Sequence, residues 1–325
     1  MTTKLTIQET ADLLLEKDNI LLLCHKNPDG DTLGSAAALA HVLAAKGKNI
    51  AVSCRHRVPV LYDYLNIPLY EGQFSVEYVV AVDTASPSLL GDALMEYADK
   101  VDLCIDHHGS NTEYSKYLCL YSDYPAAAQL MYEVLVAMGA EITVHVADCL
   151  YTGIITDTGC FRFSSTTPLT HIIGARLMEL GAHHTALVEK FFMSKTKKTV
   201  RLEKFMLNNL EYYFDDRCVI LPLTREAILD IKPEPTDIDG LASKARDFEG
   251  VEVSILIRPL REEGSYKLSI RTGENADACA MASALGGGGH LRAAGCEIKG
   301  DIDSVRKAIL KEVEKALCRQ TATEF

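Results

Sequence analysis

Four apolar runs of strand length, at 19–25, 49–55, 76–83 and 101–106, alternate with segments of helical pattern, and this alternation limits the sheet they can build. A run that is apolar at consecutive positions reads as a strand buried on both faces. Strands separated by helices cannot pair as hairpins, so a parallel sheet covered by helices is expected. The segment 32–47 is rich in Ala and Leu and closes at Gly47, while 125–139 opens with Pro125 and closes at Gly139, as helices do. In an open parallel sheet the functional groups gather beyond the carboxyl ends of the strands. Three of the four runs reach that edge with His25, Asp83 or Asp106.

The pattern changes from residue 166 onward. The segment 195–213 reads as one helix whose first turns carry Lys195, Lys197, Lys198, Arg201 and Lys204. Beyond it, 217–223, 251–258 and 265–271 read as strands separated by helical segments, with a Pro-rich turn at 232–235. At 325 residues the chain has about twice the length of a typical single domain. The expectation is an α/β protein with an N-terminal parallel-sheet domain at 1–190, a helical connector at 191–211 and a smaller α+β domain at 212–325.

Charge and cysteine content exclude several functions. The net charge is −12, and residues 1–190 carry 12 Lys and Arg against 23 Asp and Glu, whereas the remainder is nearly balanced. A chain so acidic is repelled by long polyanions, which disfavours a protein that coats duplex nucleic acid and leaves small phosphate substrates open. The longest nearly charge-free apolar stretch, 32–45, is shorter than the roughly 18 residues a membrane span needs. Acidic residues Glu9, Asp12 and Glu16 near the start do not fit a signal peptide, so the cytoplasm is the expected compartment. The ten cysteines contain no Cys-x-x-Cys pair and many lie in apolar runs, as reduced, buried thiols would.

Within seven residues, His25-Lys26-Asn27-Pro28-Asp29-Gly30-Asp31 places three ligand-type side chains on one tight turn between a strand and a helix. A turn decorated with capping Asp residues would look similar, but Asp83 and Asp106-His107-His108 at neighbouring strand ends add to it. Carboxylates so concentrated are costly unless a cation sits among them. Asp148 and Asp157 fall on one helical stretch nine residues apart, hence on opposite faces. Asp157, followed by Thr158-Gly159, is the one expected to point inward, and Asp148 is read as exposed or capping. His41, His56, His145, His171, His183 and His184 are read as structural.

These motifs resemble the DHH phosphoesterases, whose name stands here as Asp106-His107-His108. The resemblance covers His25 to Asp31, Asp83, Asp106 to His108 and Asp157, and extends to the DHH-associated C-terminal domain through Gly287-Gly288-Gly289-His290 and Ala293-Ala294-Gly295. It implies that His25, Asp29 and Asp83 hold one divalent ion, that Asp31, Asp83, His107 and Asp157 hold a second, and that Asp83 bridges them. His108 would face the substrate phosphate, with Asp106 behind it. Imidazole and carboxylate ligands without thiolate suit two Mn²⁺ ions, with Mg²⁺ or Co²⁺ as substitutes, and such a pair supports in-line attack on a phosphoester.

The second domain would supply recognition. Gly288 and Gly289 expose backbone N–H groups, and His290 at the end of the run can donate to a phosphate or carboxyl oxygen. Arg271 ends a strand and matches an arginine that in the family contacts substrate, while Arg162 stands evenly between a surface residue and a substrate contact. The resemblance implies a bacterial oligoribonuclease and pAp phosphatase, a nanoRNase, acting on short RNA oligonucleotides of two to five residues and on adenosine 3′,5′-bisphosphate. A cyclic-di-AMP or pApA phosphodiesterase is the alternative, and an idle nucleotide-binding regulator a third reading that the full ligand set disfavours. A homodimer is allowed by this layout.

Overall fold

The computed structural model describes residues 2–54, 58–234, 237–238 and 240–318, apart from the side chain of His290; Arg55, His56, Arg57 and Pro235 are outside the described residues. The chain divides into two compact units, Met1–Ser194 and Lys195–Phe325.

In the first unit, β1 (Thr3–Lys4), β2 (Ile20–Leu23), β3 (Ile50–Ser53), β4 (Tyr78–Val82), β5 (Leu103–Asp106) and β6 (Tyr117–Leu120) form a six-stranded sheet in the order β1-β6-β5-β4-β2-β3. Every pairing is parallel. β2, β4 and β5 are buried at each position, so the consecutive apolar runs follow from a sheet covered on both faces. One face is covered by α1 (Ile7–Glu16), α2 (Gly30–Ala45), α3 (Ala127–Ala137) and α4 (Val144–Asp157), whose apolar residues join Leu22, Val80 and Ile105 in one core. On the other face Leu21, Leu23, Val79, Ala81 and Cys104 pack against Leu90, Leu94 and Ala98.

α2 and α4 approach each other closely because small residues stand at their contact. A Cβ on Gly34 would strike the carbonyl oxygen of Cys149, and one on Gly153 would strike the Ala128 side chain. The two helices cross the core as a pair whose ends present Asp31 and Asp157. α5 (Pro168–Glu179) and α6 (His184–Val188) complete the unit.

In the second unit, α7 (Lys197–Asn209) precedes β7 (Glu211–Tyr213), β8 (Cys218–Pro222), β9 (Val253–Pro259), β10 (Ser265–Thr272), β11 (Gly288–His290) and β12 (Ala293–Lys299), in the order β11-β12-β10-β9-β8-β7. Only β8 and β9 pair parallel among its ladders. α8 (Arg225–Ile231), α9 (Leu241–Arg246), α10 (Ala278–Ala284) and α11 (Ile302–Cys318) cover it, α9 with α7 in one cluster and α10 with α11 in the other.

Two local expectations are corrected. The helix read over 195–213 stops at Asn209, because Leu210 turns to extended backbone and Glu211–Tyr213 pairs with β8. Its Leu202 and Met206 are buried with Val219 and Leu221, so α7 belongs to the second unit's core and is no free-standing connector. The glycine run forms an edge strand, Gly288–His290 pairing with Ala293–Gly295. No helix among the described residues is long and apolar enough to cross a membrane.

Candidate metal centre

β5, β4 and β2 are neighbours in the sheet, and because they run parallel their carboxyl ends open on one edge. His25 follows β2 by one residue beyond Cys24, Asp83 follows β4 directly, and Asp106 is the last residue of β5 with His107 and His108 after it. Asp29 is the N-cap of α2, its Oδ1 accepting from the N–H groups of Asp31 and Thr32 at 3.1 and 3.2 Å. The capping reading and the ligand reading of that turn are therefore compatible. Asp157 is the last residue of α4.

These side chains form two groups that share Asp83. His25 Nε2 lies 3.7 Å from Asp29 Oδ1 and 3.7 Å from Asp83 Oδ2. His107 Nε2 lies 3.4 Å from Asp83 Oδ1, 3.3 Å from Asp157 Oδ2 and 3.7 Å from Asp31 Oδ2. One ligand atom from each of His25, Asp29 and Asp83 falls within 4.8 Å of the others, and the same holds for Asp31, His107 and Asp157. Asp83 thus turns one oxygen to each group. Its backbone is left-handed, φ 54°, a conformation an aspartate adopts at a cost of about 1–3 kcal/mol when surrounding structure fixes it.

The donors fit a metal pair. Asp83 Oδ1 and His107 Nε2 are buried without any hydrogen-bond partner, an expensive arrangement for protein atoms alone and a suitable one for ligands. Burial, then Asp83 and Asp157, push the Asp31 carboxyl well above the usual carboxylate range. Burial raises Asp157 to about 7, with Asp83 and Asp29 adding to it against His107. For His107 burial opposes the charged ring, but Asp83, Asp31 and Asp157 outweigh it and lift it to about 10. A site that holds protons this tightly among converging carboxylates has the electrostatics of one built for cations.

Around these side chains lies a shell that fixes them. Asp31 is fully buried at the start of α2, its two oxygens accepting from Ala127 N at 2.6 Å and Ala128 N at 2.8 Å, the first N–H groups of α3. His107 Nδ1 meets the Tyr124 carbonyl at 3.0 Å, leaving Nε2 for the cluster. Asp106 accepts from His108 Nδ1 at 2.7 Å and from Asn111 Nδ2 at 2.7 Å, so its own carboxylate is engaged away from the ligands. His108 is the more open imidazole, 39% exposed against 11% for His107. Burial disfavours the charge on His108, but the stronger effect of the Asp106 hydrogen bond raises its pKa.

The other candidates stand as follows. Arg162 Nε donates to Gly159 O at 2.6 Å and its guanidinium lies 5.9 Å from the Phe192 ring centre, so it is turned toward its own loop. That loop follows Asp157 with three successive left-handed residues, Gly159, Cys160 and Phe161. In the second unit, Arg271 lies on β10 and Gly288 and Gly289 on β11, while the side chain of His290 lies outside what is described. Space is open beside Gly288, whereas a Cβ on Gly289 would come within 2.6 Å of the Ala293 carbonyl oxygen, so backbone packing accounts for that glycine. Asp148 is buried, not exposed, and accepts from His183 N and Nδ1 at 2.7 and 2.8 Å, on the far side of α4 from Asp157. Sequence reasoning missed Asn111, Tyr124 and the N–H pair of Ala127 and Ala128. Asn111 alone carried a side-chain signal, five residues after Asp106 in a polar loop.

Comparison with known proteins identifies the two domains. Residues 19–154 match the DHH family N-terminal domain and residues 222–317 the DHHA1 domain. A bifunctional oligoribonuclease and PAP phosphatase NrnA of Thermus thermophilus is 32% identical over 309 residues, covering 92% of this chain and 90% of that protein. The cyclic-di-AMP phosphodiesterase GdpP of Bacillus subtilis is 25% identical over 89% of this chain but only 46% of its own length. Among solved structures, an exopolyphosphatase-related protein from Bacteroides fragilis has a TM-score of 0.86 at 23% identity, with 95% of each chain covered, which shows a shared fold. With both domain models matched in order, and a relative of this identity aligned along nearly all its length, the chain belongs to the DHH family of phosphoesterases.

Proposed function

We propose that this protein is a two-metal phosphoesterase that hydrolyses short oligoribonucleotides to mononucleotides and removes phosphate from adenosine 3′,5′-bisphosphate. The observation that carries the reading is Asp83, whose two carboxylate oxygens face separate histidine-carboxylate groups at 3.4 and 3.7 Å. His25, Asp29 and Asp83 would hold one ion; Asp31, Asp83, His107 and Asp157 the other. Mn²⁺ is the ion proposed, since nitrogen and carboxylate donors without thiolate suit it. A divalent pair supplies Lewis acidity toward a phosphoryl oxygen and, from water, a nucleophile at neutral pH.

The protein's own residues do the rest. Asp106 holds His108 through Nδ1, so Nε2 is left to donate to a phosphate oxygen, and the raised pKa favours the charged ring that an anionic substrate needs. The backbone N–H groups near Gly288 and Gly289, with His290 and Arg271, are proposed to bind the substrate's terminal phosphate or sugar. The name of the Thermus relative, aligned along nearly its whole length, favours these substrates over cyclic di-AMP, whose named relative is covered by less than half. Cys24, Cys104, Cys119, Cys149, Cys218 and Cys296 are buried, as small apolar thiols in a reducing compartment would be, and the cytoplasm is proposed.

The test is a substrate panel with Mn²⁺: di- to pentanucleotide RNA, adenosine 3′,5′-bisphosphate, pApA, cyclic di-AMP and pyrophosphate. Highest kcat/KM on the short RNAs and the bisphosphate is expected. Preference for cyclic di-AMP would replace the reading with the phosphodiesterase one, and turnover of pyrophosphate alone would overturn both.

A further inference from the structure

At the other ends of α2 and α4, away from the carboxylates, a second set of ligand-type side chains meets. His41 stands near the end of α2, His145 in the first turn of α4 and Cys149 one turn further along. One ligand atom of each lies within 4.8 Å of the other two. The carbonyl of Leu65, the last residue of the short 3₁₀ helix Val60–Leu65, completes the group. His41 Nε2 is 2.9 Å and His145 Nε2 3.1 Å from that oxygen, and the two nitrogens are 3.1 Å apart.

Hydrogen bonding alone does not satisfy this arrangement. If both rings carry a proton on Nε2, both donate to the Leu65 oxygen and two N–H groups face each other. If one ring lacks it, that ring has no proton to give the carbonyl, and two acceptors are in contact. In each protonation state at least one of the three short contacts is repulsive. A cation removes the conflict, because both lone pairs and the carbonyl oxygen then point at the same charge. The spacing suits it: ligands about 2.0–2.1 Å from a tetrahedral ion lie about 3.3 Å from one another, close to the 2.9 and 3.1 Å seen.

We propose that His41, His145, Cys149 and the Leu65 carbonyl form a binding site for a borderline divalent ion, Zn²⁺ in the first place, distinct from the cluster around Asp83. Two imidazoles and a thiolate select Zn²⁺ or Co²⁺ over Mn²⁺ and Mg²⁺, the opposite of the preference of the carboxylate cluster. Ten residues separate His41 from Asp31 on α2 and twelve separate His145 from Asp157 on α4, so the two sites lie about 15–18 Å apart along the helices. Binding exchanges the S–H bond of Cys149 for a sulfur–metal bond and releases that proton to water. The ion would fasten the 60–65 segment to α2 and α4, and so brace the helix pair that carries Asp31 and Asp157. Both histidines are partly exposed, which gives the ion a way in, while Cys149 is fully buried.

Co²⁺ titration of the full-length, metal-free chain under saturating Mg²⁺ tests this, because thiolate-to-cobalt charge transfer in the near ultraviolet reports only a site that includes a cysteine. The expected result is a band saturating at one Co²⁺ per chain, abolished by one equivalent of Zn²⁺, lost in Cys149→Ser and in His145→Gln, and kept in Asp83→Asn. His145→Gln alters a partly exposed side chain, so it guards against a Cys149→Ser chain that fails to fold. No band in the wild-type chain, or a band that survives in His145→Gln, would overturn the proposal.

Discussion

Asp83 combines a left-handed backbone, near-complete burial and an oxygen with no hydrogen-bond partner, and each of these is unfavourable unless a cation compensates. Its neighbour Asp106 is the contrasting case, with both oxygens engaged by His108, Asn111 and the His107 N–H. Asp106→Asn should therefore keep metal content and lower kcat by about 10–100-fold, the usual effect of altering a group behind the ligands, as steady-state kinetics with metal analysis would show. Proton balance gives a second expectation. His107, raised to about 10 from 6.5, and Asp157, raised to about 7 from 3.8, each bind a proton more tightly in the folded, metal-free chain than in the unfolded one. That favours folding at low pH, and the contribution is lost as pH climbs, for Asp157 between about 4 and 7 and for His107 between about 6.5 and 10. Metal-free Tm should fall across that range, while the Tm gain on adding Mn²⁺ should grow because fewer protons must be displaced. A Mn²⁺ shift that is constant from pH 6 to 8 would contradict this. That these side chains would come together was readable in the sequence because His and Asp at strand ends carry their chemistry in their identity. The partners of Asp31 and His107 were not, since they are backbone N–H and C=O groups that any residue at those positions would supply.

Among the elements, the α2 and α4 pair decides whether the ligands converge. A Cβ at Gly153 would meet the Ala128 Cβ and come within 2.7 Å of Asp31 Oδ1. Gly to Ala in a helix interior ordinarily stabilises by about 1 kcal/mol, yet overpacking costs about 1–3 kcal/mol, and here the obstacles are a neighbouring helix and a ligand. Gly153→Ala should lower Tm by several degrees and reduce Mn²⁺ occupancy together, measured by calorimetry and metal analysis. A stabilised variant with full occupancy would contradict the packing account. The parallel strands were readable because burial on both faces leaves unbroken apolar runs. β6, at Tyr117–Leu120, was missed because four residues are too few for a periodic pattern to stand out, and β12 was missed because its Ala-Ala-Gly start lacks the β-branched residues strands favour. The pairing with β12 explains Gly287 and Gly289, where an added Cβ would strike residues 293–296. Tyr212 and Tyr213 ended the long helix early by joining a strand, as aromatic residues do at a sheet edge.

At the scale of the whole molecule, the chain divides into Met1–Ser194 and Lys195–Phe325, and α7 falls in the second unit because its Leu202 and Met206 bury there. The unequal charge of the two parts has a kinetic consequence. Nearly all of the −12 net charge lies in the first 190 residues, so the RNA beyond a short bound segment is repelled by the part of the chain that holds the metal ligands. A dinucleotide should be cleaved faster than an RNA of about 24 residues at low salt, and the gap should narrow as salt shortens the screening length to about 8 Å. Equal rates at low salt would contradict that account of length preference. The central claim is that one aspartate joins two ions, and it is tested by counting them. Electron paramagnetic resonance and metal analysis of the Mn²⁺-loaded chain should show two ions per chain with the spin coupling of a bridged pair, and Asp83→Ala should lose the coupled signal together with nearly all turnover. Near wild-type turnover in Asp83→Ala, or two uncoupled ions in the native chain, would contradict it.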